Sequence, residues 1–186
     1  MEPIRLELDD RLAEAGDVLP LAGHVDQDSY SLGDHDFSLP AGIDYDLVVT
    51  NAGEGILVTG MLRCEVVGTC DRCLEEARFQ VAGEVDGYYP FEEPEPAEDE
   101  DDELDWFPVE DDAIDLAPAL LTTLVMETPF VVLCRPDCRG LCPVCGANLN
   151  EGDCGHAASR GEARPEDGPF AALAGLDLSG GDAGEV

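Results

Sequence analysis

The chain contains no lysine, so its nine basic residues are all arginine, against 43 aspartates and glutamates and a net charge of −34. Binding to a phosphate backbone requires cationic side chains that displace counterions from the nucleic acid. Direct RNA binding is therefore expected only at a local arginine cluster, and a basic protein partner fits the charge better. The alternative is that the acidity serves solubility alone.

The chain also lacks long apolar runs. No stretch approaches the roughly 18 consecutive apolar residues that a membrane-spanning helix needs. The first ten residues have neither the basic start nor the apolar centre of a secretory signal. We therefore expect a cytoplasmic protein. In that reducing compartment, eight cysteines are expected to bind metal, with disulfides and thiol redox chemistry as the less favoured alternatives.

Five of the eight cysteines and one of the three histidines fall within the 23 residues from Cys134 to His156. Disulfides or a redox pair would not require a histidine two residues after the last cysteine. A tetrahedral zinc ion accepts both thiolate and imidazole ligands. The segment therefore predicts a zinc site.

Two cysteine pairs have the Cys-x-x-Cys spacing of a tight turn that gives two thiolates to one metal ion, and a glycine follows the second pair. In one arrangement one site contains Cys142, Cys145, Cys154 and His156, and the other contains Cys70, Cys73, Cys134 and Cys138. A rival arrangement joins the two Cys-x-x-Cys pairs in one split zinc ribbon. The sequence leaves both open and predicts one or two structural zinc ions. Cys64, inside a predicted strand, is interpreted as a buried apolar thiol.

Four of the nine arginines lie beside or within the cysteine groups: Arg63, Arg72, Arg135 and Arg139. Zinc held by three or four thiolates carries net negative charge, so these arginines can serve as charge compensation. The alternative is an arginine patch that contacts an RNA phosphate or a partner.

The pattern along the chain predicts an α+β fold with an antiparallel sheet, one packed helix and a cysteine-rich zinc-binding C-terminal segment. We expect the sheet in residues 1–91, an acidic linker in 92–112, a helix and a strand completing the domain in 113–133, the zinc segment in 134–158, and a mostly flexible tail with a short docked helix in 159–186. The linker holds 13 acidic residues in 21 positions, and like-charge repulsion at that density opposes packing.

Within this outline, Gly and Pro residues break the region before Tyr45 into short pieces joined by turns. Leucines spaced four apart predict a helix with Asp115 as its N-cap and Pro129 after its end. Phe130 to Leu133 is expected to form a short strand leading into the cysteines. Trp106 and Phe107 are expected to dock the end of the acidic run onto the sheet.

A catalytic role is not expected. Catalytic zinc keeps an open coordination position, whereas sites crowded with cysteine are usually closed. His24 and His35 have no nucleophile pattern near them and are interpreted as surface residues. A thioredoxin-like role would require the Cys70–Cys73 motif at the start of a helix, but here it falls between strands.

The cysteine motifs resemble those of the YceD family, also called the large ribosomal RNA subunit accumulation protein family. The resemblance rests on Cys70-Asp-Arg-Cys73-Leu74, the acidic middle, the helix from Asp115 to Glu127, and the string Cys138-Arg-Gly-Leu-Cys142-Pro-Val-Cys145-Gly with Cys154-Gly-His156 after it. It implies a role in accumulation of large-subunit rRNA and in ribosome assembly. Some members lack the C-terminal cysteines, which implies that the metal supports the fold.

These observations together predict a non-catalytic factor in assembly of the large ribosomal subunit, acting on assembly intermediates. Its acidic surface would hold a basic ribosomal protein or assembly factor, with a possible local rRNA contact at the arginines. The alternatives are a zinc-stabilised adaptor for another basic partner and a thiol redox protein.

Overall fold

The computed structural model describes residues 1–94 and 105–156, and the C-terminal tail predicted to carry a docked helix lies outside them. The chain divides into two compact units, Met1–Cys138 and Arg139–Val186. The first unit contains the strands and the α-helix of the described residues. The described residues contain no helix long and apolar enough to cross a membrane.

The elements of the first unit follow the chain in order. The strands are β1 (Arg5–Glu7), β2 (Val18–Val25), β3 (Ser29–Leu32), β4 (His35–Ser38), β5 (Ile43–Asn51), β6 (Gly55–Thr69), β7 (Glu76–Pro90), β8 (Val109–Glu110) and β9 (Ala113–Asp115). One turn of 3-10 helix spans Asp10–Leu12, and the single α-helix in the described part of the chain, α1, spans Ala117–Glu127. The predicted α+β class is confirmed.

The main sheet has six antiparallel strands in the order β2-β5-β6-β4-β3, and β7 pairs with β6 as well. The long hairpin of β6 and β7 pairs from Gly55 with Pro90 to Thr69 with Glu76. Every second side chain along β7 points into the core, as the alternating sequence pattern predicts. The hairpin therefore carries its connecting turn, residues 70–75, to a position fixed by fifteen paired residues on each strand.

Helix α1 packs on β7. Leu120 and Leu124 of the helix are fully buried, and Gly83 of β7 leaves room for the helix to approach closely. A Cβ atom at Gly83 would lie 2.5 Å from Cγ of Glu127 and 2.7 Å from Cγ2 of Thr123. The end of the helix, which leads to Cys134 and Cys138, is thus held against the hairpin.

A second, three-stranded sheet has the order β1-β9-β8. Asp111 and Asp112 form its tight turn with φ of 50° and 54°, the left-handed conformation that two-residue hairpins require. Asp115 accepts backbone hydrogen bonds through Oδ1 from Ile4 (2.8 Å) and Ala117 (3.0 Å), and so joins β1 to the start of α1. Its side chain caps the helix from one residue before the observed N-cap, Leu116.

Three local expectations differ from the structure. Phe130 to Leu133 forms no strand, because Val132 makes its backbone hydrogen bonds with Asp71 and not with a neighbouring strand. Part of the predicted linker is ordered, since β8 lies within it. The region expected to be broken into short pieces contains the eight-residue β2, which accommodates Pro20 because β2 stands at a sheet edge.

The expected docking of the acidic run onto the sheet is confirmed for Phe107. Its backbone N–H donates to the carbonyl of Tyr88 at 2.8 Å, and its ring lies 5.3 Å from that of Tyr89. Residues 95–104, the centre of the predicted linker, lie outside the described residues.

Candidate metal centres

The structure brings the predicted cysteines together in two groups of four side chains. The first cluster contains Cys70, Cys73, Cys134 and Cys138, and the second cluster contains Cys142, Cys145, Cys154 and His156. Within each cluster the potential ligand atoms lie within 4.8 Å of one another. This grouping corresponds to the first arrangement considered from the sequence and not to the split ribbon.

The first cluster is built from the turn between β6 and β7 and from the segment after α1. Cys70 begins the turn, and its N–H donates to the carbonyl of Glu75 at 2.8 Å. Leu74 donates its N–H to the carbonyl of Cys70 at 2.9 Å and takes a φ of 61°, which reverses the chain directly after Cys73. The turn thus points two thiols at one place, as the Cys-x-x-Cys spacing predicts.

Two side chains of the same turn hold the other half of the first cluster. Asp71 accepts the N–H of Val132 through Oδ2 at 2.7 Å, while its own N–H donates to the Val132 carbonyl at 2.9 Å. Arg72 donates from its guanidinium to the Cys138 carbonyl at 2.9 Å. The two residues between Cys70 and Cys73 therefore fix the backbone on both sides of Cys134, so that all four thiols are positioned by the turn.

Sulfur separations in the first cluster fit tetrahedral coordination. Sγ of Cys70 lies 3.8 Å from Sγ of Cys138, and Sγ of Cys73 lies 3.6 Å from Sγ of Cys134. A tetrahedron with zinc–sulfur bonds of about 2.3 Å has sulfur–sulfur edges of about 3.8 Å. A disulfide would need about 2.05 Å, and all eight cysteines are free thiols in the structure.

The pKa values of the thiols in the first cluster are shifted in opposite directions. Burial of Cys70 opposes its ionisation, but backbone N–H groups of Cys134, Cys73 and Arg72 outweigh it and lower the pKa of Cys70 to about 6. Burial, together with the neighbouring thiols, raises the pKa of Cys134 to about 12. All four groups could be thiolates together only beside a compensating positive charge, which a divalent cation would supply.

The second cluster is contained in the short segment 142–156. Its turn closes with the N–H of Gly146 donating to the Cys142 carbonyl at 2.8 Å, and Gly146 takes a φ of 71°, a conformation that glycine adopts without strain. Cys142 also donates its N–H to the Ala147 carbonyl at 2.8 Å. The glycine after the second Cys-x-x-Cys pair thus has the role that the sequence suggested.

Cys154 and His156 complete the second cluster. Nδ1 of His156 lies 4.0 Å from Sγ of Cys142, somewhat more than the sulfur–nitrogen edge of about 3.6 Å expected around zinc. Hydrogen bonds from the backbone N–H groups of Cys145 and Val144 lower the pKa of Cys142 to about 6. Cys145 is exposed whereas three of the four cysteines of the first cluster are buried, so the two clusters differ in access to solvent.

The donor sets decide which metals the clusters fit. Four thiolates, or three thiolates and an imidazole, are soft ligands that suit zinc, and each group offers four donors without a carboxylate. Sites of this kind are closed, with no position left for a substrate. Both clusters could therefore hold a metal ion that crosslinks the chain.

The arginines named from the sequence occupy different surroundings. Arg72 contacts the first cluster, as described, and Nε of Arg135 lies 3.4 Å from Oδ1 of Asp137. Arg63 lies on β6 six positions before Thr69, a distance of about 20 Å along a strand. Arg139 belongs to the second unit, where its N–H donates to Oδ1 of Asn150.

Sequence reasoning missed the role of Asp71. The only signal available was its place inside Cys70-Asp-Arg-Cys73, and its partner Val132 is 61 residues away. Cys64 is buried, as predicted. His24 and His35 are exposed, with 44% and 45% of their side-chain surface accessible.

The described residues thus form an α+β protein with two groups of four potential metal ligands, one at the end of the long hairpin and one in the C-terminal segment. The chain belongs to the family described as large ribosomal RNA subunit accumulation protein YceD, whose sequence profile matches residues 58–177. The match includes both cysteine clusters and helix α1, and the predicted membership is confirmed. No solved structure is significantly similar to the chain.

Curated relatives extend this comparison. An uncharacterized protein of Mycobacterium tuberculosis is 41% identical over 108 residues, 58% of this chain and 51% of the relative. One of Mycobacterium leprae is 33% identical over 111 residues, covering 59% and 50%. A chloroplastic protein of Zea mays, named large ribosomal RNA subunit accumulation protein YCED homolog 1, is 39% identical over 59 residues, 29% of this chain and 20% of the relative. The chain thus spans about half the length of the mycobacterial relatives.

Proposed function

We propose that this protein promotes accumulation of large-subunit rRNA as a non-catalytic, cytoplasmic factor in assembly of the large ribosomal subunit. The observation that carries the proposal is the family match over residues 58–177. The name of the maize relative points to the same process. Family membership supports a role in this process.

In this proposal each cluster holds one structural zinc ion. Cys70, Cys73, Cys134 and Cys138 ligate the first, and Cys142, Cys145, Cys154 and His156 ligate the second. The ions crosslink the chain and perform no chemical step on a substrate. Support comes from the soft donor sets, the sulfur separations near a tetrahedral edge and the buried thiols of the first cluster.

The proposed partner is a basic ribosomal protein or assembly factor on an assembly intermediate. A net charge of −34 attracts basic proteins and repels rRNA. Any rRNA contact would fall to the arginines near the cysteines, Arg63, Arg72, Arg135 and Arg139; one guanidinium nitrogen of Arg72 also donates to the Cys138 carbonyl. The protein would thus present a basic component to the growing subunit.

The test is deletion of the gene followed by complementation with the full chain. Loss of the protein should lower the ratio of large-subunit to small-subunit rRNA and reduce large subunits on a sedimentation gradient, and the wild-type gene should restore both. Unchanged rRNA and gradients would contradict the proposal and favour an adaptor for another basic partner. Metal analysis of the purified protein should give about two zinc equivalents; a metal-free protein with redox-active thiols would favour the redox alternative.

A further inference from the structure

Four exposed apolar side chains are carried by elements that build or adjoin the first cluster. We call Leu74, Met126, Phe130 and Val131 the apolar patch; their exposed fractions are 65%, 78%, 99% and 53%. Leu74 belongs to the hairpin turn, Met126 to the last turn of α1, and Phe130 and Val131 to the segment that follows α1. The hydrogen bonds between Asp71 and Val132 hold that segment against the turn. A phenylalanine at nearly full exposure is a costly placement in water, so a surface of this kind points to an interaction site.

The segment that carries Phe130 is tied to the fold on both sides. Before it, Thr128 shares a 2.7 Å hydrogen bond with the hydroxyl of Tyr30 and donates its own hydroxyl to the Leu124 carbonyl at 2.7 Å. After it, Val132 is buried and makes the two hydrogen bonds with Asp71. Phe130 therefore projects from a braced loop of three residues, and its exposure is not that of a free end.

The brace rests on an aromatic stack in the core. The ring of Tyr30 lies 5.0 Å from that of Phe37 in stacked geometry, and Phe37 meets Phe79 edge-on at 6.1 Å. The hydroxyl that holds Thr128 is thus itself fixed by packing. An aromatic side chain on a braced backbone has only two side-chain torsions to order on binding, so it loses little conformational entropy, which is the property of an interface hot spot.

Charge decides what kind of molecule covers the patch. The exposed acids Glu75 and Glu127 directly adjoin Leu74 and Met126 in the chain. The arginines of the same turn and segment are engaged locally: Arg72 donates to the Cys138 carbonyl, and Arg135 lies 3.4 Å from Asp137. A second copy would bring another net charge of −34 against this surface, and RNA would bring phosphates, so both are repelled. A basic protein segment with an apolar anchor matches both the patch and its acidic rim.

We propose that Leu74, Met126, Phe130 and Val131 form the docking surface for a basic protein of the large ribosomal subunit, with Phe130 as the central anchor. This inference rests on the proposed function for the origin of the partner.

The test measures binding of individually purified large-subunit ribosomal proteins to the full zinc-loaded chain. Phe130→Ala should weaken binding of at least one basic protein by about tenfold or more, the loss typical of an anchor residue. Phe91→Ala is the matched control, because Phe91 is also exposed, at 45%, and lies outside the patch; it should change binding less than about twofold. Circular dichroism should show both variants folded.

Three outcomes would overturn the inference: no basic subunit protein binds, Phe130→Ala binds as wild type does, or both variants lose binding equally. Phe130-dependent binding of a single-stranded RNA oligonucleotide, or Phe130-dependent dimerisation in sedimentation equilibrium, would replace the proposed occupant and so also refute it. Failure of the proposed function has a different signature. In that case deletion leaves large-subunit rRNA unchanged, while the binding measurements with Phe130→Ala still report on the surface itself.

Discussion

Removing the metal-binding capacity of the first cluster should destabilise the first unit far more than removing that of the second. The perturbation is the double substitution Cys73→Ser with Cys134→Ser, compared with Cys145→Ser together with Cys154→Ser. Cys73 and Cys134 are separated by 61 positions and belong to the hairpin turn and to the segment after α1. The second pair lies within a single short segment of the other unit.

The magnitude follows from the linkage between metal binding and folding. An ion that binds the folded chain and leaves the unfolded chain stabilises the fold by about 4 kcal/mol when the free ion is at about 1,000 times its dissociation constant. Binding at the first cluster requires the hairpin turn and the segment after α1 to be folded together, so this stabilisation belongs to the first unit. With a urea m-value of about 2 kcal/mol per molar, a loss of about 4 kcal/mol lowers the unfolding midpoint by about 2 M.

The assay is urea unfolding of zinc-loaded protein followed by far-ultraviolet circular dichroism, which reports mainly on the sheet of the first unit. The first double variant should lose one zinc equivalent and about 2 M in midpoint, whereas the second should lose one equivalent with little change in the sheet transition. Cys64→Ala is the control, a buried cysteine outside both clusters. Equal midpoint shifts for the two double variants, or a wild-type midpoint unaffected by chelation, would refute the reasoning.

Three further predictions concern single side chains. Leu124→Ala, at a fully buried position of α1, should lower the free energy of unfolding by about 2–5 kcal/mol, whereas Met126→Ala, 78% exposed, should change it by less than about 0.5 kcal/mol; similar losses would show that the helix does not pack as described. Burial raises the pKa of Cys64 to about 11, so this thiol should resist a thiol reagent at pH 8 until the protein unfolds, and prompt labelling of Cys64 in the folded protein would contradict its burial. The hydrogen bond from His24 to Asp44 raises the pKa of His24 above its ordinary 6.5, so the stabilisation it gives is complete below about pH 6.5 and is lost as pH rises through the raised pKa. The difference in melting temperature between wild type and His24→Gln should accordingly shrink between pH 5 and pH 8, and a constant difference would contradict the ionised pair.

The parts of the fold that sequence could predict are those determined by local pattern. Alternation of apolar residues predicts β6 and β7, and leucines at helical spacing predict α1, since each pattern matches the period of its element. Cys-x-x-Cys with a following glycine predicts the turn at Cys142, because ligand spacing and positive φ are local requirements. The prediction of a non-local pairing between Cys70/Cys73 and Cys134/Cys138 required elimination, and the sequence left a rival open.

The predictions that failed concern residues whose structure depends on partners distant in the chain or on the position of a strand in its sheet. The apolar run from Phe130 to Leu133 matches a strand, but only Val132 is well buried, and its hydrogen bonds go to Asp71. Pro20 suggested a break, yet an edge strand tolerates a missing N–H. Whether an apolar run forms a strand, and whether a strand lies at a sheet edge, is determined by tertiary structure and cannot be read from a short stretch of the sequence.

The first cluster and the apolar patch depend on the same hairpin turn and the same segment after α1. The segment from Thr128 to Cys138 carries Phe130 near its start and two cysteines of the cluster near its end, and Asp71 of the hairpin turn binds it between them. A metal ion shared by Cys73 and Cys134 would therefore hold the same turn and the same segment that present the apolar side chains. Preorganising a binding loop raises affinity by reducing the entropy lost on association. The proposed zinc ion would thus strengthen partner binding by fixing the loop that presents Phe130, without contacting the partner itself. A closed metal site is therefore compatible with a protein whose proposed function is binding.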